Sequence, residues 1–411
     1  MSGAILIAID RGDHNVEESL EELELLVKTL DIEVLEKVIQ RRRRPDPATY
    51  FGKGKLEKLS QMVSALGADL VVSDDELTPV QAKNMEEYLK VPVMDRTQVI
   101  LEIFARHATT DEGKIQVELA RLQYELPRIV GKGEELSRLG GGIGTRGPGE
   151  QYLEQRRRMI KKRISVLKRK LQEIEVERKI QKKRRDELSF YKVSIVGYTN
   201  AGKSSLLNAI SRTNDAKVED KLFATLEPIT RRVKLESGRI VLFSDTVGFI
   251  RKLPHTIVAA FRATLEEIKD SDLLLHLIDA SDPYYENKMK ESLKVLEEIG
   301  ASHIPRIEVF NKIDLITKEH LERIMERFPS ALFTSVKRKI GIRELLERVD
   351  EEISKLETEI EVEIPQSMVG SVYSNLGRIV IVDEYYMDGV VKMRIRGREN
   401  VVEEIIGRLK I

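Results

Sequence analysis

The spacing of apolar residues along the first hundred positions alternates between the patterns of strands and helices. An apolar run at residues 4–9 predicts a strand, and leucines at helical spacing within residues 17–30 predict a helix. A second buried strand is predicted at residues 68–73, after a further helix. Because strands that alternate with helices favour a parallel sheet, we expect a small α/β domain at residues 1–110.

Residues 111–190 contain two segments with apolar residues at helical spacing, separated by a glycine-rich loop. Apolar residues recur at spacings of three and four at 115–126 and again at 160–174, and six glycines fall within the ten positions 140–149. Two heptad-like stripes joined by a loop indicate an antiparallel helical hairpin. Each stripe is short, so two ordinary amphipathic helices remain the alternative.

Regular strand–helix alternation occupies residues 191–357. Strands are predicted at 192–197, 239–245, 272–279, 306–311 and 331–335, with helices between them, which is the pattern of a doubly wound domain. The remaining residues, 358–411, include a strand candidate at 379–382 and a final helix at 401–409. The predicted fold class is therefore α/β multidomain, with a small α+β domain at the C-terminal end.

Composition excludes several classes of protein. The 411 residues contain no cysteine, so disulfides, thiolate metal sites and cysteine nucleophiles are ruled out. No apolar stretch approaches the roughly 18 residues of a membrane span, and the first residues lack the basic start of a signal peptide. This composition is compatible with a cytosolic location.

A phosphate-binding loop is the sharpest motif. Residues 197–204 match G-x-x-x-x-G-K-[ST] at every fixed position, between a predicted strand and a predicted helix. Glycines allow backbone N–H groups to surround phosphates, and the helix N-terminus favours their charge. Lys203 is expected to reach the β- and γ-phosphates and Ser204 to bind Mg²⁺.

Three further elements follow in the order that a GTPase requires. The last of them, Ser335-Val336-Lys337, follows the final predicted strand and could supply backbone contacts to the guanine oxygen. Asp245 and Gly248 follow a strand, where the carboxylate can hold Mg²⁺ through water and the glycine N–H can meet the γ-phosphate. Asp314 ends the sequence Asn-Lys-Ile-Asp after another strand. A carboxylate there can accept from N1–H and the exocyclic amine of guanine, whereas adenine would leave it unpaired.

The γ-phosphate sensor and the water-positioning group are less certain from sequence. Thr225, between the first two motifs, is the predicted sensor and Mg²⁺ ligand, and Thr230 is its competitor. Phe223 and Leu226 could instead only anchor a surface loop. Phe249 stands where Ras-like GTPases carry a water-orienting glutamine, so we expect slow intrinsic hydrolysis that a partner stimulates. The alternative is that another group of the chain positions the water; His255 is near in sequence, although an ordinary loop histidine is the favoured interpretation of it.

A strongly basic stretch suggests a polyanionic partner. Residues 156–185 contain fifteen Lys and Arg against three Glu, an excess of twelve positive charges in a chain whose net charge is zero. Such a surface gives salt-sensitive binding to phosphates, although a solvated helix face is the alternative. Aromatic residues are not interleaved within the stretch, which favours structured nucleic acid over single strands.

These motifs together resemble the HflX family of ribosome-associated GTPases. The segments GYTNAGKSSL, LFATLEP, DTVGFI and NKID carry the resemblance, as does GGGIGTRGPGE followed by LEQRRRMIKKRI. The resemblance covers roughly residues 1–357. It implies a cytoplasmic, Mg²⁺-dependent GTPase that binds the large ribosomal subunit through rRNA and acts in splitting or rescuing stalled ribosomes under stress.

The resemblance also implies a set of site residues. Phosphates would contact Gly197, Tyr198, Thr199, Asn200, Ala201, Gly202, Lys203 and Ser204, and the switch segments would be Phe223, Ala224, Thr225, Leu226 and Glu227 with Asp245, Thr246, Val247 and Gly248. The base would contact Asn311, Lys312, Ile313, Asp314, Ser335, Val336 and Lys337, and Mg²⁺ would be bound by Ser204 and Thr225. We expect Lys203, Thr225 and Gly248 to act in catalysis. Two alternatives remain: a GTP-gated RNA-binding scaffold with incidental hydrolysis, and an ATP-driven RNA remodeller.

Overall fold

The chain forms two compact units. The computed structural model describes residues 3–12, 15–129, 148–186, 190–211, 229–252 and 268–409. Of these, residues 3–12, 15–129, 148–174 and 251–252 belong to the first unit, and the other described residues belong to the second.

A four-stranded parallel sheet lies at the centre of the first unit, which confirms the predicted α/β domain. Its strands follow the order β2-β1-β3-β4. Strand β1 is buried from its first residue through Ile9 because apolar side chains occupy successive positions and helices cover both faces. The elements of this unit are β1 (Gly3–Asp10), α1 (Val16–Thr29), β2 (Glu33–Arg41), α2 (Lys53–Leu66), β3 (Leu70–Ser73), α3 (Pro79–Leu89), β4 (Val93–Asp95), α4 (Arg96–His107), α5 (Asp111–Arg128) and the start of α6 (Pro148–Asp186).

Helices α5 and α6 lie antiparallel, as the predicted hairpin requires. Arg156 pairs with Glu125 at 2.7 Å, and Arg163 pairs with Glu118 through two bonds of 2.7 and 2.8 Å. From the first pair to the second, the residue number rises by seven on α6 and falls by seven on α5. The two helices therefore run in opposite directions. The glycine-rich residues 140–147 lie outside the described residues.

A buried carboxylate joins α5 to the edge of the sheet. Asp95 caps α4 by accepting from the Gln98 backbone N–H at 3.0 Å. Its other oxygen accepts from the Tyr124 hydroxyl at 2.6 Å and from Arg128 at 3.0 Å, both on α5. These bonds fix the base of the hairpin on the α/β domain.

The second unit contains the predicted doubly wound sheet, in the order β10-β9-β8-β5-β7-β6. Strand β5 lies between β8 and β7, and the chain connections leave this point in opposite directions. The loop after β5 therefore lies where ligands usually bind in doubly wound sheets. The elements are β5 (Tyr191–Gly197), α7 (Lys203–Ser211), β6 (Ile229–Lys234), β7 (Ile240–Asp245), β8 (Leu273–Asp279), α8 (Tyr285–Glu298), β9 (Arg306–Asn311), α9 (Lys318–Arg327), β10 (Leu332–Phe333) and α10 (Ile342–Ser354).

The sequence analysis missed β6 and made β10 too long. Strand β6 is an antiparallel edge strand, and in it only Val233 is fully buried, so its apolar pattern is weak. The strand predicted at residues 331–335 is reduced to Leu332–Phe333, because the chain after it turns back to form a bridge between Ser335 and Ile340.

The C-terminal residues of the second unit form a small antiparallel sheet with helices, as expected. Its strand order is β11-β13-β12. Gly377 O accepts from the Ile240 backbone N–H at 3.1 Å, and Arg398 pairs with Asp272, so this sheet packs on the doubly wound domain. The elements are β11 (Thr358–Pro365), α11 (Val369–Tyr373), β12 (Ile379–Met387), β13 (Val390–Gly397) and α12 (Glu399–Leu409). Within the described part of the chain, no helix combines the length and apolar character needed to cross a bilayer.

Candidate nucleotide site

The phosphate loop lies between β5 and α7, where the sequence motif requires it. Gly197 has φ +147°, and a Cβ there would lie 2.2 Å from the backbone oxygen of Leu277 on the neighbouring strand. Only glycine can therefore end β5 at this distance from β8. Helix α7 begins at Lys203, so its first N–H groups face the space enclosed by the loop.

Lys203 and Ser204 are held by the protein's own oxygens. The Lys203 ammonium group is buried and donates to the Tyr198 backbone oxygen at 2.9 Å. Burial lowers the pKa of Lys203 to about 8, and the negative charge of Asp245 only partly opposes this effect. A triphosphate beside this group would restore the ordinary preference for the charged form.

Ser204 and Asp245 form a pair of hard oxygen donors. The Ser204 hydroxyl donates to Oδ2 of Asp245 at 2.6 Å, and Asp245 is fully buried at the end of β7. A hydroxyl and a carboxylate within hydrogen-bond distance are the donor types that Mg²⁺ prefers beside phosphate oxygens. The residues present therefore fit the metal that the resemblance implies.

The turn after β7 touches the phosphate loop directly. A Cβ on Gly248 would lie 2.9 Å from Lys203 Nζ and 2.8 Å from Thr199 Cγ2, so this close approach requires glycine. Phe249 locks the turn in place through its backbone, donating to Gly197 O at 3.0 Å and accepting from Thr199 N at 2.9 Å. Its ring is 2% exposed, so Phe249 serves here as a packing residue.

Residues predicted to contact the base come together from the segments that follow two strands. Asn311 donates to Ala201 O at 2.9 Å and accepts from Val336 N at 3.1 Å, which connects the phosphate loop to both base segments. The Ser335 hydroxyl donates to Asp314 at 2.6 Å, and this bond holds the pKa of Asp314 below its usual value. Residues that are far apart in sequence thus face one another, as the motif order predicted.

Family models match three consecutive parts of the chain. Residues 17–105 match the model described as GTP-binding GTPase N-terminal, residues 107–185 match GTP-binding GTPase Middle Region, and residues 192–312 match 50S ribosome-binding GTPase. The GTPase HflX of Caldanaerobacter subterraneus is 52% identical over 357 residues, covering 87% of this chain and 82% of that protein. The chain belongs to the HflX family of GTPases.

A second relative agrees with this assignment. The GTPase HflX of Lacrimispora saccharolytica is 51% identical over 313 residues, which is 75% of this chain and 73% of that protein. Among solved structures, the complex of SsGBP with GDP is 26% identical, with a TM-score of 0.47, and covers 87% of this chain and 99% of that one. The identities to the two HflX proteins confirm the resemblance to the HflX family that the motifs predicted.

Part of the predicted HflX site lies outside the described residues. This holds for the whole first switch segment, including Thr225, and for His255. Thr230, the competitor of Thr225, lies in the edge strand β6, where its hydroxyl is 2.8 Å from that of Ser244. Thr230 is therefore engaged in pairing two strands.

The motifs did not identify Asp279, which orients Lys312. Asp279 is the last residue of β8, and its carboxylate pairs with Lys312 Nζ at 2.6 Å. Lys312 itself has φ +64°, an uncommon backbone conformation for a residue with a side chain. The signal available in the sequence was an acid directly after an apolar strand, between the strands that carry the phosphate and base motifs.

The basic stretch of this HflX-family chain has two kinds of positive side chain. Arg156 and Arg163 are used in pairing α6 with α5, and Arg158 pairs with Glu154 on its own helix at 2.9 Å. Other basic side chains of α6 are exposed to solvent, namely Arg157, Lys161, Lys162 and Lys168. The side chains at residues 178–186 lie outside the described ones. The excess charge is thus only partly used in holding the hairpin together.

Proposed function

We propose that this protein is a Mg²⁺-dependent GTP-hydrolysing enzyme that binds the large ribosomal subunit, acting in the cytoplasm in splitting or rescue of ribosomes under stress. The observation that supports it best is the link from Ala201 through Asn311 to Val336, because it joins a phosphate cradle to a guanine-type base site in one rigid unit. Membership of the HflX family and the match to a 50S ribosome-binding model support the partner.

The site would promote GTP hydrolysis mainly by electrostatic stabilisation of the transferred phosphoryl group. The buried Lys203 ammonium group, the loop N–H groups and the start of α7 would stabilise the charge that develops on the transferred phosphoryl group. Gly248 would donate its N–H to the γ-phosphate, and Thr225 would close over it. When bound, Mg²⁺ would be held by Ser204 and Thr225, with Asp245 behind them, and would neutralise phosphate charge.

Recognition of guanine would rest on Asp314. Its side chain is almost fully buried, and the bond from Ser335 keeps it ionised with one oxygen fixed in place. An ionised carboxylate accepts hydrogen bonds only, so it pairs with N1–H and the exocyclic amine of guanine, whereas adenine offers no such pair of donors on that edge. This selectivity argues against the ATP-driven remodeller.

The base assignment can be tested by Asp314→Asn. The amide should weaken GTP binding by more than tenfold, because its NH₂ group opposes the donors of guanine. Xanthine carries a carbonyl where guanine has the exocyclic amine, so the same variant should gain affinity for XTP. Equal loss of GTP, XTP and ATP binding would show that Asp314 does not face the base.

Hydrolysis and ribosome binding require a separate test. Phe249 is packed in the protein and cannot orient water, so the isolated protein should hydrolyse GTP slowly. For the same reason a GTP-gated scaffold remains an alternative. GTP hydrolysis should therefore be measured with no addition, with small subunits and with large subunits, alongside co-sedimentation. Stimulation by large subunits alone is expected. Binding without any stimulation would favour a GTP-gated scaffold.

A further inference from the structure

The small C-terminal sheet of the second unit has a free edge. Strand β12 lies at one side of this sheet, in the order β11-β13-β12. A bulge interrupts its pairing with β13 at Val382, and residues 383–387, the β12 edge, then stay in regular register up to the turn. Among the described strands, the β12 edge pairs with β13 alone. An edge strand presents backbone N–H and C=O groups that can pair with a further strand.

Large apolar side chains are exposed at the end of this edge. Tyr385 is 60% exposed and Met387 is 65% exposed. Met387 lies opposite Val390 on β13, which is also exposed. The next residue, Val391, is fully buried in the core beneath the sheet, so Tyr385, Met387 and Val390 lie on the outer face. Aromatic residues and Met are enriched in protein interfaces, and an exposed group of them marks a binding surface.

The exposed group lies far from the doubly wound domain. The hairpin of β12 and β13 is attached to that domain at its other end, where Gly377 bonds to Ile240 and Arg398 pairs with Asp272. The nine residues of β12 span roughly 27 Å at about 3.4 Å per residue. The exposed side chains are therefore not used in holding the C-terminal sheet on the domain that carries the nucleotide site.

The charge at the β12 edge is negative. Residues 383–388 contain three acids, Asp383, Glu384 and Asp388, and no Lys or Arg. Arg394 pairs with Asp383, but among the described residues no basic side chain pairs with Glu384 or Asp388. Elsewhere on the outer face, three glutamates of β11 contact the three basic residues of β13. The excess of negative charge is therefore concentrated at the free edge.

This charge indicates which kind of partner fits. Phosphate groups would be repelled, so the β12 edge is unsuited to RNA. Pairing with the same edge of a second copy would bring three acids from each chain to one seam with no base between them, which is unfavourable. A strand that carries Lys or Arg together with apolar residues complements both the charge and the exposed side chains.

We propose that the β12 edge, with the outer side chains of Tyr385, Met387 and Val390, binds an extended segment of a basic protein, which adds a strand to the sheet. The docking site rests on the proposed function, in which the large ribosomal subunit supplies this protein, because proteins that lie on rRNA carry Lys and Arg that neutralise its phosphates. The two contacts with the subunit would then differ in chemistry: RNA at the basic helix α6, and protein at the β12 edge.

The test measures co-sedimentation with intact large ribosomal subunits and, separately, binding to protein-free rRNA extracted from the same subunits. The Tyr385→Ser/Met387→Ser variant should lose about fivefold or more in affinity for the subunits and keep its affinity for the extracted rRNA. Tyr88→Ser/Met325→Ser is the matched control, since these two side chains are each 46% exposed, on α3 and α9. The control should bind like the wild type in both assays.

A charge variant tests the same partner with an opposite effect on RNA. Glu384→Lys/Asp388→Lys should weaken binding to the subunits by a similar factor, because the edge would then repel a basic segment, and should strengthen binding to the extracted rRNA. Stronger binding to intact subunits would mean that the edge faces RNA, which contradicts the docking site. This variant also decides the case in which the double serine variant does not fold.

The outcomes separate the docking site from the function on which it rests. Wild-type affinity for the subunits in a folded double serine variant would overturn the docking site alone. A wild-type dimer in sedimentation velocity that the same substitutions dissociate would assign the edge to a second copy instead. Wild-type protein that does not sediment with large subunits would overturn the proposed function and the docking site with it.

Discussion

The Ser335 hydroxyl donates a 2.6 Å hydrogen bond to Oδ1 of Asp314. This bond is the largest cause of the lowered pKa of Asp314, and Arg338 lies 3.7 Å from the other carboxylate oxygen. The two residues follow different strands, so the bond fixes one of the segments proposed to contact the base relative to the other. Asp314 is therefore both oriented and kept ionised by the segment that follows β10.

Replacing Ser335 with alanine should weaken the binding of GTP and GDP equally. Removal of a hydrogen bond to a charged group should lower the affinity about tenfold, which is ~1.4 kcal/mol of binding free energy. Isothermal titration with both nucleotides measures this, and Ser354→Ala, which removes a bond to the Glu351 backbone on the exposed end of α10, is the control. Wild-type nucleotide affinity in the Ser335→Ala variant would show that other groups orient Asp314.

Asn311→Ala should destabilise the second unit even without nucleotide. Asn311 is 3% exposed, and its replacement would leave Ala201 O and Val336 N without their partner at 2.9 and 3.1 Å. Buried unpaired backbone groups cost about 1–3 kcal/mol each, so the thermal midpoint should fall by several degrees. Asn84→Ala, which removes an exposed bond to Ala48, should leave the midpoint nearly unchanged. A similar small shift in both variants would contradict a structural role for Asn311.

The sequence was sufficient to predict the positions of residues that belong to one local motif or lie close to the end of a strand. Gly197, Lys203 and Ser204 lie within one strand–loop–helix motif. Asp245 ends one predicted strand and Asp314 closely follows another, so their positions follow from sheet topology. The alternation of predicted strands and helices likewise indicated the parallel sheet of the first unit and the doubly wound sheet of the second. Edge strand β6 was missed because arginines occupy its centre, and only pairing with β7 makes it a strand.

Long-range side-chain pairs could not be derived from the sequence. The bond between Asp279 and Lys312 and that between Lys252 and Asp74 join residues 33 and 178 positions apart. Neither pair has a local pattern, because a charged residue selects its partner by tertiary geometry. The ring of Phe249 illustrates the same limit: the sequence showed that it is not glutamine, but its burial and its backbone bonds to the phosphate loop required the structure.

Nucleotide affinity should fall as the pH rises through about 8. Burial lowers the pKa of Lys203 to about 8 in the free site, whereas a lysine in contact with phosphate stays charged. Binding therefore takes up a proton above that pH, and the association constant should decrease by up to about tenfold per pH unit. Titration calorimetry of GDP in buffers with different ionisation enthalpies detects the uptake. An affinity that stays constant between about pH 7 and about pH 9 would show that Lys203 is charged throughout.

Neutralising the exposed side of α6 should weaken ribosome binding without affecting the nucleotide. Arg157, Lys161, Lys162 and Lys168 are exposed, so their replacement by glutamine leaves the ion pairs of the hairpin intact. Each positive charge that no longer neutralises a phosphate reduces the salt dependence, so the slope of log affinity against log salt should decrease by about three. Co-sedimentation with large subunits at several salt concentrations measures the slope. A control with the same change in charge is available on the second unit, where Lys290, Lys294, Lys318 and Arg323 are also exposed. An equal effect of the two sets would mean that total charge, and not this helix, determines ribosome binding.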